Sequence, residues 1–292
     1  MAEVREGLDL TRIGEITPEE INANLISVWG WRGPLYEMYA NSLMLDYAPD
    51  FAKLHRWASD MYGRPEVPNI IMLSLGNIHS YIMLGWETGI LNEFHTLRRN
   101  GMTRAQLMEA VMFTQLTAGM RGLGHVYHAI GNLLPIWGET EHEAPFPEGW
   151  TPDPDAFKCG LDLTTRHMTD VDVANLTAWY EKTIGFLPDS IQWGLKHHPE
   201  FIKVHRAKWE TSLKTLPKQV APYMMLRHHM ITGNKEGLRE AALLGKAWGM
   251  SAQSMIRCIT SSAFYFTGFD GLYTANAALE GIIGEDDILV SK

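Results

Sequence analysis

The sequence predicts an all-α fold, and it predicts that the fold is built twice. Apolar residues recur at helical spacing, and helix start and stop signals recur along the chain. Alternating strand patterns closed by hairpin turns are absent. Short segments also match one another at a near-constant separation of about 150 residues, far longer than a solenoid repeat.

The elements follow in order. Thr17-Pro18-Glu19-Glu20 is a capping-box start, with Thr at N-cap, Pro at N1 and Glu at N3. The run Ile78–Arg99 places His79, Met83, Trp86, Ile90, Glu93 and Leu97 on one stripe of a single helix. On one helix, His79 and Glu93 would stand roughly 21 Å apart and could not form a dyad. Gly101-Met102 ends that helix, and Thr103 through Gln106 starts the next. Residues 135–167 are rich in Pro, Gly and acid and predict a linker that packs on the surface. The second half repeats the landmarks. Ala48-Pro49-Asp50-Phe51-Ala52-Lys53-Leu54-His55-Arg56 matches His198-Pro199-Glu200-Phe201-Ile202-Lys203-Val204-His205-Arg206, and Asn24-Leu25 matches Asn175-Leu176. Gly101-Met102-Thr103 matches Gly249-Met250-Ser251, and Ala118-Gly119 matches Thr267-Gly268. We expect copy one at 17–134 and a diverged copy two at 168–285.

Composition narrows the function classes. The 292 residues are 46% hydrophobic and 20% charged, ordinary for a globular protein. A net charge of −9 without a Lys/Arg block argues against nucleic acid or an anionic membrane as partner. No run of apolar residues is long enough to span a bilayer, and Met1 to Leu10 carry no apolar signal core. A cytoplasmic setting is expected. The two cysteines, Cys159 and Cys258, form no C-x-x-C pair, which argues against dithiol redox chemistry and a thiolate zinc site. The 16 Met and 10 Trp suit a thick helical core or an adaptable apolar pocket.

The candidate chemical residues are few. Glu93, a carboxylate on the apolar stripe, is suited to proton transfer if burial raises its pKa. Glu109 sits in the first turns of its helix, where capping competes with catalysis. His79 lies in the polar cluster Gly76-Asn77-Ile78-His79-Ser80 at the start of an apolar helix. His125 and His128 share a helical face, as metal ligands or an anion site would, although no metal motif accompanies them. Arg227 could clamp a carboxylate with two hydrogen bonds, and His228 follows it. Tyr81, Trp86, Tyr265 and Tyr273 are aromatic candidates for a pocket wall or for core.

The stretch from Glu93 to Val111, continuing to Ala118-Gly119, resembles the carboxymuconolactone decarboxylase family. That family carries a polar residue eight before a Gly, then a Gly-Met-Thr-like turn, a Glu eight after that Gly, and an Ala-Gly pair ten further on. Glu93, Gly101, Glu109 and Gly119 fill those places. The related alkylhydroperoxidase D proteins share the fold and add C-x-x-C-x-x-x-H; Trp86 and Gly89 stand where those cysteines would, so thiol peroxidase chemistry is disfavoured. The chain departs from the decarboxylase pattern in having Glu93 where His is usual. Copy two departs further, with Ala241 and Arg257 at the places of Glu93 and Glu109.

The resemblance implies a tandem duplication of an alkylhydroperoxidase D-like helical unit, and a homo-oligomer such as a trimer. It implies a cofactor-independent lyase, a decarboxylase acting on a carboxylated lactone or related aromatic-catabolism intermediate. Glu93, His79, His125 and Glu109 are then the catalytic candidates, and Trp86, His128, Arg227 and His228 the substrate-binding ones, with a small molecule as partner and no metal. The alternatives are an isomerase, hydrolase or C–C lyase of the same fold on a larger aromatic catabolite, a non-catalytic assembly protein, or a metal-dependent enzyme using the His clusters.

Overall fold

The computed structural model describes residues 47–55, 70–136, 143–284 and 287–288, with isolated positions between 12 and 23. The expected match at Asn24-Leu25 lies outside the described residues. Among the described residues from 70 onward, the α-helices are, in order, α1 Ile70–Leu84, α2 Glu87–Arg99, α3 Arg104–Ile130, α4 Asp170–Ile184, α5 Asp189–His197, α6 Pro199–Glu210, α7 Val220–Thr232, α8 Lys235–Ala247, α9 Ala252–Ser262 and α10 Gly268–Leu279. No β-strand occurs among the described residues, where pairing is limited to two isolated bridges. The all-α expectation therefore holds. None of the described helices is long and apolar enough to cross a membrane.

The centre is the pair α1 and α7. Thirteen of the fifteen residues of α1 are buried. A helix that is apolar or small on every face belongs inside, because no side of it is suited to water. α1 packs on α2, α3 and α7, and α7 packs on α8 and α9. The polar residues of α1, namely Ser74, Asn77, His79 and Ser80, are therefore carried into the interior.

The single helix expected from Ile78 to Arg99 is corrected to two. The chain breaks at Gly85, whose φ of 73° is left-handed, and Trp86 follows in extended conformation as the cap of α2. An added Cβ at Gly85 would lie 2.6 Å from His125 Nε2, so the turn needs glycine for conformation and for space. Stripe periodicity runs through such a turn unchanged, because both helices bury the same kind of face. The consequence is large: α2 folds back on α1 and brings Glu93 to Asn77.

The predicted caps form. Thr17 and Glu20 exchange capping-box bonds, as do Thr103 and Gln106, and Ser251 caps α9. Gly119 (φ 69°, ψ −167°) kinks α3, and Gly268 adopts nearly the same backbone (φ 59°, ψ −154°) at the start of α10. Both values fall in a region that is essentially glycine-only. Residues 263–267, just before Gly268, form a π-helical turn. The Pro-rich segment does more than strap the surface: its Trp150 and Phe157 are buried in the main core. Thr151 O accepts from Lys218 N at 3.1 Å, tying the segment to the approach of α7.

Candidate functional site

A seam of buried polar side chains runs along the α1–α2–α7 junction. Glu93, on α2, is 1% exposed. Its Oε1 accepts from Asn77 Nδ2 at 3.3 Å, and its Oε2 has no hydrogen-bond partner among the described residues. Burial raises its pKa to about 7, against the opposing pull of Ser74, Asn77, Asn92 and the Arg227 charge. Near neutral pH this carboxyl is divided between its acid and its base, which suits proton transfer.

His79, on α1, is fully buried. Its Nδ1 lies 2.9 Å from Thr114 Oγ1, while the Thr114 hydroxyl donates to Ala110 O at 2.9 Å. With the hydroxyl proton committed there, Thr114 accepts from His79, so the imidazole proton sits on Nδ1. That leaves Nε2 as a bare acceptor, buried and without a partner among the described residues. Burial, with His228, His229 and Arg227 adding repulsion, holds His79 well below its ordinary pKa. It is a neutral, pre-oriented base.

Arg227, on α7, is the third member. It is 0% exposed, and its Nε and both terminal nitrogens lack a hydrogen-bond partner among the described residues. Its side chain crosses Gly76, where a Cβ would lie 2.5 Å from Nε, so glycine on α1 makes room for it. Phe266, from the π-helical turn, places its ring 5.8 Å from the guanidinium carbon. A buried guanidinium with unused donors is costly for the fold and is a ready fork for a carboxylate.

His228 joins this seam to a cavity. Its ring meets His79 edge-on at 5.8 Å, and its Nδ1 lies 3.0 Å from Met83 Sδ. It also lines a partly open cavity of about 330 Å3 walled by α3 to α8.

The remaining candidates stand apart from the seam. Glu109 accepts from the backbone N–H of Lys214, Thr215 and Leu216 and from the Thr215 hydroxyl, all near 3.0 Å. It anchors the approach of α7 to α3. His125 and His128 place Nδ1 at 3.1 and 3.4 Å from Glu87 Oε1, forming their own cluster at the surface. The Glu87 carboxylate is held below its ordinary pKa chiefly by the His125 hydrogen bond. Trp86 is partly exposed at the start of α2 and packs edge-on against Tyr81 at 4.8 Å. Among the described residues no group of three or more His, Cys, Asp or Glu side chains is arranged to hold a metal. Both cysteines are free, and burial pushes the Cys258 thiol up to about 11.

Sequence reasoning missed Thr114 and Glu240. Thr114 interrupts an apolar run four residues after Ala110, the spacing at which a hydroxyl can bond back to its own helix. Glu240, on α8, lines the cavity, and burial with Glu236 and Asp189 raises its pKa to about 7. It lies one residue before Ala241, the match of Glu93 in the second half, so a one-residue tolerance would have found it.

No known protein-family profile matches this chain, and no curated protein matches it. Among solved structures, a chain from Burkholderia xenovorans LB400, provisionally named a gamma-carboxymuconolactone decarboxylase subunit, is similar with a TM-score of 0.55. The two are 15% identical, and the match covers 91% of this chain and 99% of that one. The fold is therefore shared nearly end to end.

Proposed function

We propose that the protein is a cofactor-independent carbon–carbon lyase, a decarboxylase of a carboxylated lactone or a related intermediate of aromatic breakdown. The observation that carries this reading is a buried guanidinium without hydrogen-bond partners among the described residues, whose charge reaches the buried Glu93 carboxyl poised near neutral pH. In such a decarboxylation the bond to one carboxylate breaks and CO2 leaves. The electron pair shifts into the neighbouring carbon skeleton as the alkene carbon takes a proton. The protein has two tasks, to fix the substrate and to deliver that proton. Arg227 would hold a carboxylate that remains, Glu93 would supply the proton, and His79 Nε2 would accept a hydrogen bond that orients the substrate. The decarboxylase name of the similar structure supports the same reaction class.

We also read the chain as two copies of one helical unit, 17–134 and 168–285, joined by 135–167. Three pairs of positive-φ glycines support this: Gly85 with Gly233, Gly101 with Gly249, and Gly119 with Gly268. Each pair falls at the separation of the sequence repeat. A homo-oligomer assembled from such chains is part of the same proposal.

The test is CO2 release from freshly generated 4-carboxymuconolactone by chelator-treated protein. Turnover that Glu93→Gln and His79→Ala each reduce by about a hundredfold, roughly the lower end of general acid–base contributions, is the expected result. Turnover intact in both variants removes the assignment of these residues. No turnover by the unaltered protein removes this substrate.

A further inference from the structure

The proposed decarboxylation does not use the cavity walled by α3 to α8. Its lining joins aromatic rings, Trp179 on α4, Trp209 on α6 and Phe157 from the preceding segment, to aliphatic side chains such as Leu116, Ile191 and Met225. Its volume, about 330 Å3, is at the small end of ligand pockets, which run from roughly 300 to 1,000 Å3. It suits a single substituted ring.

The polar groups of the cavity define what that ring carries. Arg206 is already committed: its guanidinium lies 3.8 Å over Trp179, it donates to Phe157 O, and Glu210 stands 3.9 Å away. Its Nε lacks a hydrogen-bond partner among the described residues, but the Glu210 carboxylate beside it balances its charge. His205 Nε2 accepts from Trp209 Nε1–H at 3.1 Å, so its proton sits on Nδ1, a donor. His228 Nδ1 faces the Met83 thioether, which only accepts, so His228 Nε2 is a bare acceptor. Burial holds both imidazoles below their ordinary pKa, hence neutral at pH 7. Glu240, on α8, has no hydrogen bond or ion pair with the described residues, and Glu236 and Asp189 add negative potential around it. The cavity therefore combines neutral donors and acceptors with an acidic side and lacks a spare cation.

We propose that this cavity binds an uncharged, planar, hydroxyl-bearing ring compound of the phenol class, stacked against Trp179 and Trp209, its hydroxyl shared between Glu240 and His228. A benzoate-class anion is disfavoured there by the acidic side and by the absence of a free cation. None of Arg227, Glu93 and His79 lines this cavity, which meets the seam through the contact of His228 with His79.

The test is calorimetric titration of the full-length protein with 4-methylphenol, 4-methylbenzoate and toluene, with tryptophan fluorescence as a second readout. The expected result is saturable binding of 4-methylphenol at one site per chain, with 4-methylbenzoate and toluene each weaker by at least about tenfold. Ile191→Trp, which fills the cavity from α5, abolishes binding, and Glu240→Ala weakens it by about tenfold while Glu240→Gln retains it. Circular dichroism checks that each variant is folded. Glu93→Gln keeps full 4-methylphenol affinity, which separates this site from the seam. No saturable binding of 4-methylphenol, tighter binding of 4-methylbenzoate, or unchanged binding in folded Ile191→Trp overturns the proposal.

Discussion

Replacing Arg227 with Met should make the protein more stable and inactive. Three guanidinium nitrogens are buried without hydrogen-bond partners among the described residues, and the Phe266 ring and the attraction of a half-ionised Glu93 offset that cost only in part. An unsatisfied buried donor costs about 1–3 kcal/mol, and replacing a buried ionic group by a hydrophobic one is often stabilising by about 1–4 kcal/mol. Met keeps most of the aliphatic stem over Gly76 and beside Phe266, so the packing loss is small. Taking a net gain of about 2 kcal/mol, at about 2 °C per kcal/mol for a chain of this size, the melting temperature rises by about 4 °C. Decarboxylation falls by at least about a hundredfold, as expected for loss of a buried charged anchor worth about 3 kcal/mol. The assay is a thermal melt at pH 7 beside CO2 release, on both proteins. A melting temperature that falls in Arg227→Met refutes the reasoning. It would mean that the guanidinium is satisfied within the protein and is a structural ion, with no vacancy for a substrate carboxylate.

The Glu93 carboxyl sets a pH dependence of known sign. Its folded pKa of about 7 lies above the ordinary 4.5, so its contribution is full below 4.5 and is lost as pH rises through 7. Across that window the unaltered protein should lose about 3 kcal/mol relative to Glu93→Gln, measured by urea melts at each pH. Glu240 titrates in the same direction in both proteins and cancels in the difference. Glu109→Ala leaves the Leu216 N–H without its acceptor and should cost about 2 kcal/mol in the same melts with turnover retained. A loss of turnover without a loss of stability there would return Glu109 to the catalytic group. Gly85→Ala should cost at least about 1–2 kcal/mol from the left-handed backbone alone. It should also lower turnover, because the turn at Gly85 sets where Glu93 stands.

Much of the fold was legible because it is written in local signals. Thr103 and Ser251 are caps with their own partners within one turn, and Gly101 and Gly249 end helices through a conformation that other residues avoid. The break at Gly85 was not legible, since a lone glycine in an apolar stripe is as consistent with a tolerated helix interior as with a turn. The site followed the same division. Burial of Glu93 and His79 follows from helical periodicity, but the burial of Arg227 and the meeting of the three depend on the fold-back of α2 and on the pairing of α1 with α7. Glu109 illustrates the limit from the other side. A carboxylate near a helix start is read equally well as a cap or a catalyst, and only the facing N–H groups of Lys214 to Leu216 give it an anchoring task.

The two-copy reading also accounts for the asymmetry of the seam. In register, the Arg227-His228-His229 cluster falls near His79, and Ala241 matches Glu93; His79 and Arg227 lie where α1 meets α7, whereas Ala241 lies on α8. On that reading, the second copy carries the Arg227-His228-His229 cluster and Ala241 where the first carries His79 and Glu93. Ala241 is 0% exposed, so its small side chain also lets α8 approach α7 closely. On the two-copy reading and the proposed chemistry together, the second half would supply the charge and the first half the proton.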